Sequence, residues 1–307
     1  MANYPSGDFV IQSEVKTAGF VPAVWSDEIV AAYKKNLVVA NLMKKMNFKG
    51  KKGDTVYFPA PVRGSAAAKV VETAVTMQQE TGTQITVSID KHYEYSRMIE
   101  DLAEVQALSS LRRFYTDDAG YALATRIDTD LLGLTSKAQG GSGTTAFNKA
   151  VLGGDGSTNY VAASNNESAL TDAGIRKVIQ TLDDQDVPMD GRFLVIPPVA
   201  RNTLLGLARF TEQAFVGNGT AITSGNIGNI YGTSVYVSTN CPTTSGSGGA
   251  RIAVMAHPEY GVLVEQTGVR VQTQYKQEYL GTLLTADAIY GVGELRDKSA
   301  VAIAIPA

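Results

Sequence analysis

The hydrophobic period of residues 85–134 changes once, and this change limits the fold more than any other feature of the sequence. In the first part, the apolar side chains all fall on odd positions: Ile85, Val87, Ile89, Tyr93 and Tyr95. A period of two predicts a strand with one apolar face. From Ile99 to Leu134 the apolar residues recur mostly three or four positions apart, which predicts an amphipathic helix. Glu100 and Asp101 would then stand in its first turn, where carboxylates suit the positive end of the helix dipole.

The predicted helix is long for a compact domain. At 1.5 Å per residue it would run roughly 50 Å, whereas helices in compact domains are usually well under half that length. A single hydrophobic core offers no obvious place for so long an apolar stripe. We therefore expect part of the stripe to lie against another chain or a second layer.

The composition allows a substantial core and argues against several classes of protein. Of 307 residues, 44% are hydrophobic and 19% are charged, which is enough apolar material for one or two domains. A net charge of −3 argues against a chain that binds polyanions as a whole. Cys241 is the single cysteine, so an intrachain disulfide framework is excluded and a reducing cytoplasm is a natural place of synthesis. No apolar run approaches the length of a membrane span.

A strand that precedes residue 85 completes a predicted long hairpin. Its arms are residues 54–59 and 83–95, and the segment from Val62 to Gly82 between them is poor in large apolar side chains. A two-stranded hairpin is marginal in water by itself. The hairpin must therefore lie on something else, and its own domain is one of the surfaces that the sequence leaves open.

The N-terminal section contains an arm, a candidate helix and a run of lysines. Residues 1–20 have no sustained period and predict an arm, while residues 25–39 predict a helix with Ser26 as its N-cap. Seven lysines follow closely: Lys34, Lys35, Lys44, Lys45, Lys49, Lys51 and Lys52. They favour contact with nucleic acid or with an acidic neighbour, or else a solvated face. The solvated face is the commoner case, because no aromatic residues interleave as a base-stacking site requires.

The second half of the chain predicts an α/β subdomain and then a strand-rich section. A helix at 168–184 with Thr171 as N-cap precedes a buried strand at 192–196, and Pro198 begins a further helix through 207. Strands are predicted at 234–238 and 251–255. Two Gly-rich stretches, 139–157 and 217–229, predict flexible surface loops. Near the end, residues 269–275 alternate as a strand. Residues 288–295 and 300–305 predict a hairpin turned at 296–299, with the last strand tucked into a sheet.

The sequence contains no recognisable catalytic or ligand-binding motif. His92 and His257 lie far apart and away from Cys241, so no metal spacing exists, and no Gly-x-Ser-x-Gly elbow is present. The acidic pairs are interpreted as solvated faces or interface ion pairs: Asp117–Asp118, Asp128 with Asp130, and Asp183–Asp184. The stretch 139–157 lacks the lysine that a phosphate loop needs. We predict no catalytic, cofactor-binding or metal-binding residue. A soluble enzyme that uses this Gly-rich loop for phosphate is the alternative from another class.

Four stretches occur in an order that is typical of one protein family. Tyr-Glu-Tyr-Ser at 93–96 leads into Ile-Glu-Asp-Leu at 99–102, Phe-Leu-Val-Ile-Pro-Pro stands at 193–198, a glycine precedes Val-Tyr-Val-Ser at 235–238, and the chain closes with the strands of 286–305. Together with the succession of arm, hairpin, long helix and α/β subdomain, they resemble the major capsid protein of tailed bacteriophages. Its fold is the Hong Kong 97 type.

The resemblance implies an α+β fold in five segments. These are an N-terminal arm (1–52), an extended β-hairpin loop (53–97), a peripheral domain with a spine helix (98–165), an axial domain (166–256) and a return to peripheral strands (257–307).

The function that the resemblance implies is structural. Copies of the chain would form the hexamers and pentamers of an icosahedral virion shell around double-stranded DNA, which they would contact weakly and without sequence preference. Expected partners are a separate scaffolding protein and a portal, with a decoration protein as a further candidate, and no membrane is involved. A covalent cross-link through Lys69 is not expected, because no catalytic arrangement accompanies that lysine. An encapsulin-like cellular compartment is the alternative with the same fold, and a tail-tube protein is disfavoured by the long helix.

Overall fold

The computed structural model describes residues 38–60, 64–66, 68–75, 77, 82–101, 111–136, 151–156, 167–207, 228–243 and 249–307. The predicted arm at 1–20 lies outside these residues. So do nearly all of the predicted helix at 25–39 and of the predicted loop at 217–229.

The described residues form three separate β-sheets. The strands are β1 (Lys44–Asn47), β2 (Thr55–Ala60), β3 (Thr83–Ser88), β4 (Lys91–Glu100), β5 (Val151–Gly153), β6 (Phe193–Ile196), β7 (Asn229–Ile230), β8 (Thr233–Val237), β9 (Arg251–Ala256), β10 (Gly261–Lys276), β11 (Gly281–Glu294) and β12 (Ala300–Ile305). A four-stranded sheet has the order β1–β10–β11–β4, a six-stranded sheet has the order β5–β12–β9–β6–β8–β7, and β2 pairs with β3 alone. The α-helices are α1 (Val39–Leu42), α2 (Leu111–Ser136), α3 (Asp172–Asp183) and α4 (Pro198–Leu205).

The predicted second arm of the hairpin, 83–95, is two strands and not one. β3 ends at Ser88 and pairs with β2, whereas β4 begins at Lys91 and pairs with β11 in the four-stranded sheet. At the break, the Ile89 N–H donates to the Asp54 carbonyl at 2.7 Å. The prediction was wrong because two residues separate the strands, so the odd–even alternation of side chains continues unchanged across the break.

The long helix begins later than its apolar spacing predicted. Strand β4 continues through Glu100, with Ile99 opposite Thr282 and Glu100 opposite Gly281. Glu100 is therefore not in a helical turn, and the first helical residue is Asp101. Residues 102–110 lie outside the described ranges, and α2 starts at Leu111. Ile99 fits both periods, which is why the pattern placed the boundary too early.

Helix α2 lies between two sheets of its own chain. One side packs on Ala286, Ala288 and Tyr290 of β11, and the same core includes residues of β6, β9 and β12 in the six-stranded sheet. Ala119, Leu123, Leu131, Leu132 and Leu134 of the helix are all buried. Of the two expectations for its apolar stripe, the second layer is therefore confirmed for the described part. No helix in the described ranges is both long and apolar enough to span a membrane.

The six-stranded sheet carries α3 and α4 on its other face. Ile175, Val178 and Leu182 of α3 pack there with Ala200 and Leu204 of α4. The Gly174 N–H donates to the Thr171 hydroxyl at 3.1 Å, which confirms Thr171 as the cap that starts α3. The predicted strands at 192–196, 234–238 and 251–255, and the helix beginning at Pro198, are confirmed as β6, β8, β9 and α4.

In the predicted Gly-rich loop at 139–157, residues 151–156 are instead an ordered part of the structure, and the first three of them belong to the six-stranded sheet. Residues 151–153 form β5, which runs parallel to β12. The Gly154 carbonyl then accepts the Thr171 N–H at 3.0 Å, at the start of α3. A Cβ on Gly174 would overlap the Gly154 carbonyl, so glycine serves close approach here and not mobility. Residues 139–150 and 157 lie outside the described ranges.

The last two strands do not form the predicted hairpin. β11 belongs to the four-stranded sheet, whereas β12 lies between β9 and β5 in the six-stranded sheet. A 3₁₀ turn at Asp297–Ser299 redirects the chain between them. Every residue of β12 is buried, because its alanines face α2 and its larger residues face α3 and α4. The segment 257–307 therefore serves both sheets, and the expectation that the last strand is tucked into a sheet is confirmed.

Candidate assembly surfaces

The base of the hairpin is fixed to its own chain. Ribbon β2–β3 lies on the four-stranded sheet, on the face opposite α2. Val56 and Val87 of the ribbon share one apolar cluster with Val262 and Val264 of β10. Val87 is 1% exposed. The sequence left open which surface the hairpin lies on. For the base of the hairpin, that surface is the protein's own four-stranded sheet.

Two glycines of β11 allow this close packing. A Cβ on Gly291 would overlap the Ser88 carbonyl oxygen, and a Cβ on Gly293 would overlap the side chain of Val87. Glycine within a strand commonly marks a place where another backbone approaches closely. The sequence Tyr-Gly-Val-Gly-Glu at 290–294 carried this signal, but sequence reasoning did not use it.

The distal part of the hairpin exposes its apolar side chains. Val70, Val71, Val75 and Met77 are 67%, 85%, 73% and 94% exposed. We call these four residues the tip cluster. Apolar side chains gathered on a free surface are typical of a contact with another molecule. The hairpin therefore has a covered base and an uncovered tip.

The far end of the β10–β11 ribbon is a second exposed surface. All residues from Val269 to Tyr275 are exposed, and among the described strands β1 pairs with β10 only as far as Glu265. This leaves an unpaired strand edge, which is a template for contact with another chain. At the end of the ribbon, Tyr279 and Leu280 are 66% and 65% exposed. Leu280 has φ +45°, a left-handed conformation that is costly for leucine and is often found at functional contacts.

A row of tyrosine contacts joins β4 and β11 to α2. The Tyr95 hydroxyl donates to Asp118 at 2.9 Å, and the Tyr290 hydroxyl donates to Asp130 at 2.9 Å. Burial raises the pKa of Tyr290, and its hydrogen bond to Asp130 raises this pKa further. These hydroxyls therefore stay protonated. The tyrosine contacts hold α2 on the four-stranded sheet and provide no reactive group.

The opposite face of the four-stranded sheet carries one buried carboxylate. Asp287 accepts two hydrogen bonds from the Arg270 guanidinium, at 2.7 and 2.9 Å, and lies 3.3 Å from the His92 ring nitrogen. The hydrogen bonds from Arg270 hold the pKa of Asp287 below its usual value. His92 thus supports an ion pair across three strands.

The structure does not bring the other candidate residues into one site. The His257 ring accepts the Glu259 backbone N–H at 3.3 Å, whereas the His92 ring contacts Asp287. Within the described ranges, no group of three or more histidine, cysteine or acidic side chains could hold a metal ion. Burial raises the pKa of the Cys241 thiol to about 12, so this thiol is not a nucleophile at neutral pH.

Comparison with known proteins identifies the family. A family model described as phage capsid protein matches residues 84–304. The chain belongs to the phage capsid protein family. This capsid protein is a structural component of the virion shell and not an enzyme. No curated protein matches the sequence.

Solved capsid structures match nearly the whole length of the capsid protein. The Mycobacterium phage Che8 structure is 22% identical, with a TM-score of 0.73 and coverage of 92% of this chain and 97% of that chain. The capsid structure of the cyanophage P-SCSP1u is 18% identical, with a TM-score of 0.74 and 99% of each chain covered. The capsid of the native GTA particle is 12% identical, with a TM-score of 0.68 and coverage of 97% of this chain and 100% of that chain. At these identities the matches show the fold, which is the Hong Kong 97-like α+β fold that the sequence resembled.

The family assignment decides between the alternatives. The capsid protein associates with copies of itself in a phage shell, which leaves no place for the enzyme with a phosphate loop or for a cellular compartment. Its functional surfaces are therefore contact surfaces, and the tip cluster and the end of the β10–β11 ribbon are the exposed apolar candidates.

Proposed function

We propose that the capsid protein forms the hexamers and pentamers of a closed icosahedral head, with the hairpin tip of each copy lying on its neighbour. The observation that carries the proposal is the contrast along the hairpin. Val87 in the base is 1% exposed, whereas Met77 in the tip is 94% exposed. Because the base of the hairpin is fixed on its own sheet, the exposed apolar tip is held in a position from which it can cover a neighbouring subunit.

The end of the β10–β11 ribbon supplies the complementary surface in this proposal. Val269, Val271 and Tyr275 stand on one face of β10, beside a strand edge that is unpaired among the described strands. When copies pack side by side, an apolar tip can be buried on such a face. Standard-size interfaces bury about 800 Å² per partner, and an extended hairpin provides that area without enlarging the core.

The proposed division of the chain follows its sheets. The hairpin of the predicted segment 53–97 contacts neighbours through its part from β2 to β3, while the four-stranded sheet, which includes β4, and α2 form the peripheral part. The six-stranded sheet with α3 and α4 (166–256, with β12) forms the axial part at the five-fold and six-fold axes. A scaffolding protein and a portal complete the proposed partners, with a decoration protein as a further candidate, and the shell encloses double-stranded DNA.

Negative-stain microscopy of the expressed full chain, alone and with its scaffolding protein, tests the proposal. Deletion of residues 62–82 should leave a folded subunit that forms no closed particles, because the tip is lost while the base keeps its apolar cluster. The finer variant pair is Val71→Glu with Met77→Glu in the tip, against Met189→Glu with Val199→Glu on the axial part. All four positions are exposed. Particles of normal shape from the tip variants would contradict the role of the hairpin.

A further inference from the structure

Residues 44–52, which are the edge strand β1 and the turn that follows it, contain an unusual concentration of positive charge, and we call this segment the lysine turn. Five lysines stand in these nine residues without an acidic residue among them: Lys44, Lys45, Lys49, Lys51 and Lys52. All five are exposed. The chain as a whole has a net charge of −3, so the lysine turn is a positively charged segment in a chain that is negative overall.

The backbone of the lysine turn is held by hydrogen bonds. The Lys49 N–H donates to the Asn47 side chain at 2.9 Å, and the Lys51 N–H donates to the Phe48 carbonyl at 3.2 Å. Gly50 adopts φ +78°, which permits the sharp reversal. The Gln266 amide of β10 then donates to the Lys51 carbonyl at 3.3 Å, which ties the turn to the four-stranded sheet. The lysines therefore project from a fixed platform.

The charges of the lysine turn are not neutralised within the described part of the chain. None of the ion pairs there involves these lysines, although the Lys45 ammonium donates to the Asn41 side chain at 3.0 Å. Lys51 lies 5.5 Å from the ring of Phe48. Two carboxylates are close in the chain or the sheet. Asp54 accepts the Thr55 hydroxyl, and Glu265 lies opposite Asn47. Set against five lysines, they leave a net positive surface.

We infer that the lysine turn binds the phosphate backbone of a nucleic-acid duplex and therefore faces the interior of the shell. The inference rests on the proposed function, since it assigns the inner face of that shell. Lysines act as flexible point charges that fit phosphates at any spacing, and residues 44–52 contain no arginine, whose fork is commonly used to recognise one carboxylate or phosphate in a fixed geometry. Because β1 is the edge strand of its sheet, the five exposed lysines follow one edge of that sheet, which suits a rod-like polyanion.

Binding of this kind has a measurable signature. Each lysine that neutralises a phosphate releases counterions, so the logarithm of the affinity falls with the logarithm of salt concentration by about 0.9 per contact. Removing three lysines should therefore reduce the slope by about two to three. The contact should also be indifferent to base sequence, because no side chain of the turn is placed to read base edges.

The test uses fluorescence anisotropy of a labelled random-sequence DNA duplex with the soluble full chain, at several sodium chloride concentrations. The test variant combines Lys49→Gln, Lys51→Gln and Lys52→Gln. The control combines Lys69→Gln, Lys177→Gln and Lys298→Gln, which removes the same charge from exposed positions elsewhere. Circular dichroism and the urea midpoint check that both variants are folded.

We expect the turn variant to bind the duplex about tenfold or more weakly at moderate salt, with a lower salt slope. The control should keep most of the affinity and the slope. Equal losses in the two variants would overturn the inference, because net charge would then explain the binding. Unchanged duplex binding combined with failed assembly would overturn it in favour of an acidic protein neighbour. Wild-type protein that never forms shells would contradict the proposed function. The anisotropy measurement is independent of shell formation, so it would still decide whether the lysine turn binds the duplex.

Discussion

Asp128 is a carboxylate of α2 that is completely buried, although the sequence favoured a solvated face or an interface for it. It accepts the Val39 N–H at 2.8 Å and the Asn240 side-chain amide at 3.0 Å. It therefore ties three distant segments together: the chain before β1, the long helix and the loop that follows β8. Spacing along the helix did not reveal this role, because its partners come from residues far away in sequence.

Replacing Asp128 should destabilise the subunit. Asp128→Ala leaves two buried donors without acceptors, and we expect a loss of about 2–4 kcal/mol in the free energy of unfolding. Asp184→Asn is the control, since Asp184 is exposed and its loss should cost less than about 0.5 kcal/mol. Urea unfolding of the soluble subunit, followed by circular dichroism, measures both. A loss below about 1 kcal/mol for Asp128→Ala would show that the donors find other partners.

Asp287 should make the stability of the subunit depend on acid. Its pKa is lowered in the folded state, chiefly by the hydrogen bonds from Arg270. A carboxyl with a depressed folded pKa stabilises the protein above its unfolded pKa of about 3.9 and loses this contribution as the pH falls through the folded value.

The Asp287→Asn variant should therefore be less stable than the wild type at neutral pH, and the difference should narrow as the pH falls below about 4. Urea midpoints measured at several pH values test this expectation. A difference that stayed constant with pH would mean that the ion pair with Arg270 does not contribute through its charge.

At the scale of the element, the glycines of β11 decide where the hairpin lies. Gly291→Ala would bring a methyl group onto the Ser88 carbonyl, which is backbone and cannot rotate away. We expect a loss of about 1–3 kcal/mol and faster proteolysis within the hairpin. Gly120→Ala in α2 is the matched control, because a Cβ there meets nothing within 4 Å and alanine favours the helix by up to about 1 kcal/mol. Equal behaviour of the two variants in thermal unfolding and limited proteolysis would contradict the anchoring role.

The elements that the sequence predicted well are those whose signals are local. Thr171 and Pro198 mark the starts of α3 and α4 through caps and proline geometry. The second of these helices begins where expected, whereas α3 begins at Asp172, directly after its predicted cap and four residues after the predicted bound of 168. The two-stranded pairing of β2 with β3 followed from alternation and is confirmed. A cap or an alternating strand depends on a few neighbouring residues, so a single sequence contains the information.

The elements that were placed wrongly depend on long-range pairing. No local sequence signal near Ser88 indicates that β3 and β4 belong to different sheets, because the alternation of side chains continues across the break. Similarly, the short turn at Asp297–Ser299 is compatible with a hairpin, and only the pairing of β12 with β9 and β5 excludes it. The sequence predicted a hairpin that must lie on another surface, but it described the segment 62–82 as poor in large apolar side chains, and the exposed residues of the tip cluster were found only in the structure.

At the scale of the whole molecule, assembly should protect the hairpin tip and leave the base unchanged. Residues 64–75 of the free subunit should exchange their amide hydrogens rapidly, because their side chains are uncovered. In closed shells we expect slow exchange there, while β3 is slow in both states because its base is already packed. Hydrogen exchange with mass spectrometry on subunits and purified shells measures this. Fast exchange at residues 64–75 in intact shells would contradict burial of the tip on a neighbour.

Helix α2 makes the subunit one mechanical unit, since it contacts both larger sheets. The tyrosine contacts join it to β4 at Asp118 and to β11 at Asp130, and near its end Leu131, Leu132 and Leu134 lie in the core shared with β6, β9 and β12. A length that seemed to need a second molecule is thus explained by two layers of one molecule. Among the described residues, the exposed apolar surfaces proposed for neighbours include the ends of the hairpin and of the β10–β11 ribbon.

The position of β12 also affects how the protein is made. This strand separates β5 from β9, and β5 has no other strand partner among the described residues. On the ribosome, residues 151–153 must therefore wait for about 150 further residues to be synthesised before their strand can pair, a delay set by the distance between Val151 and Ala300. A nascent chain cannot complete this sheet, so finished subunits join a shell only after translation has passed residue 305.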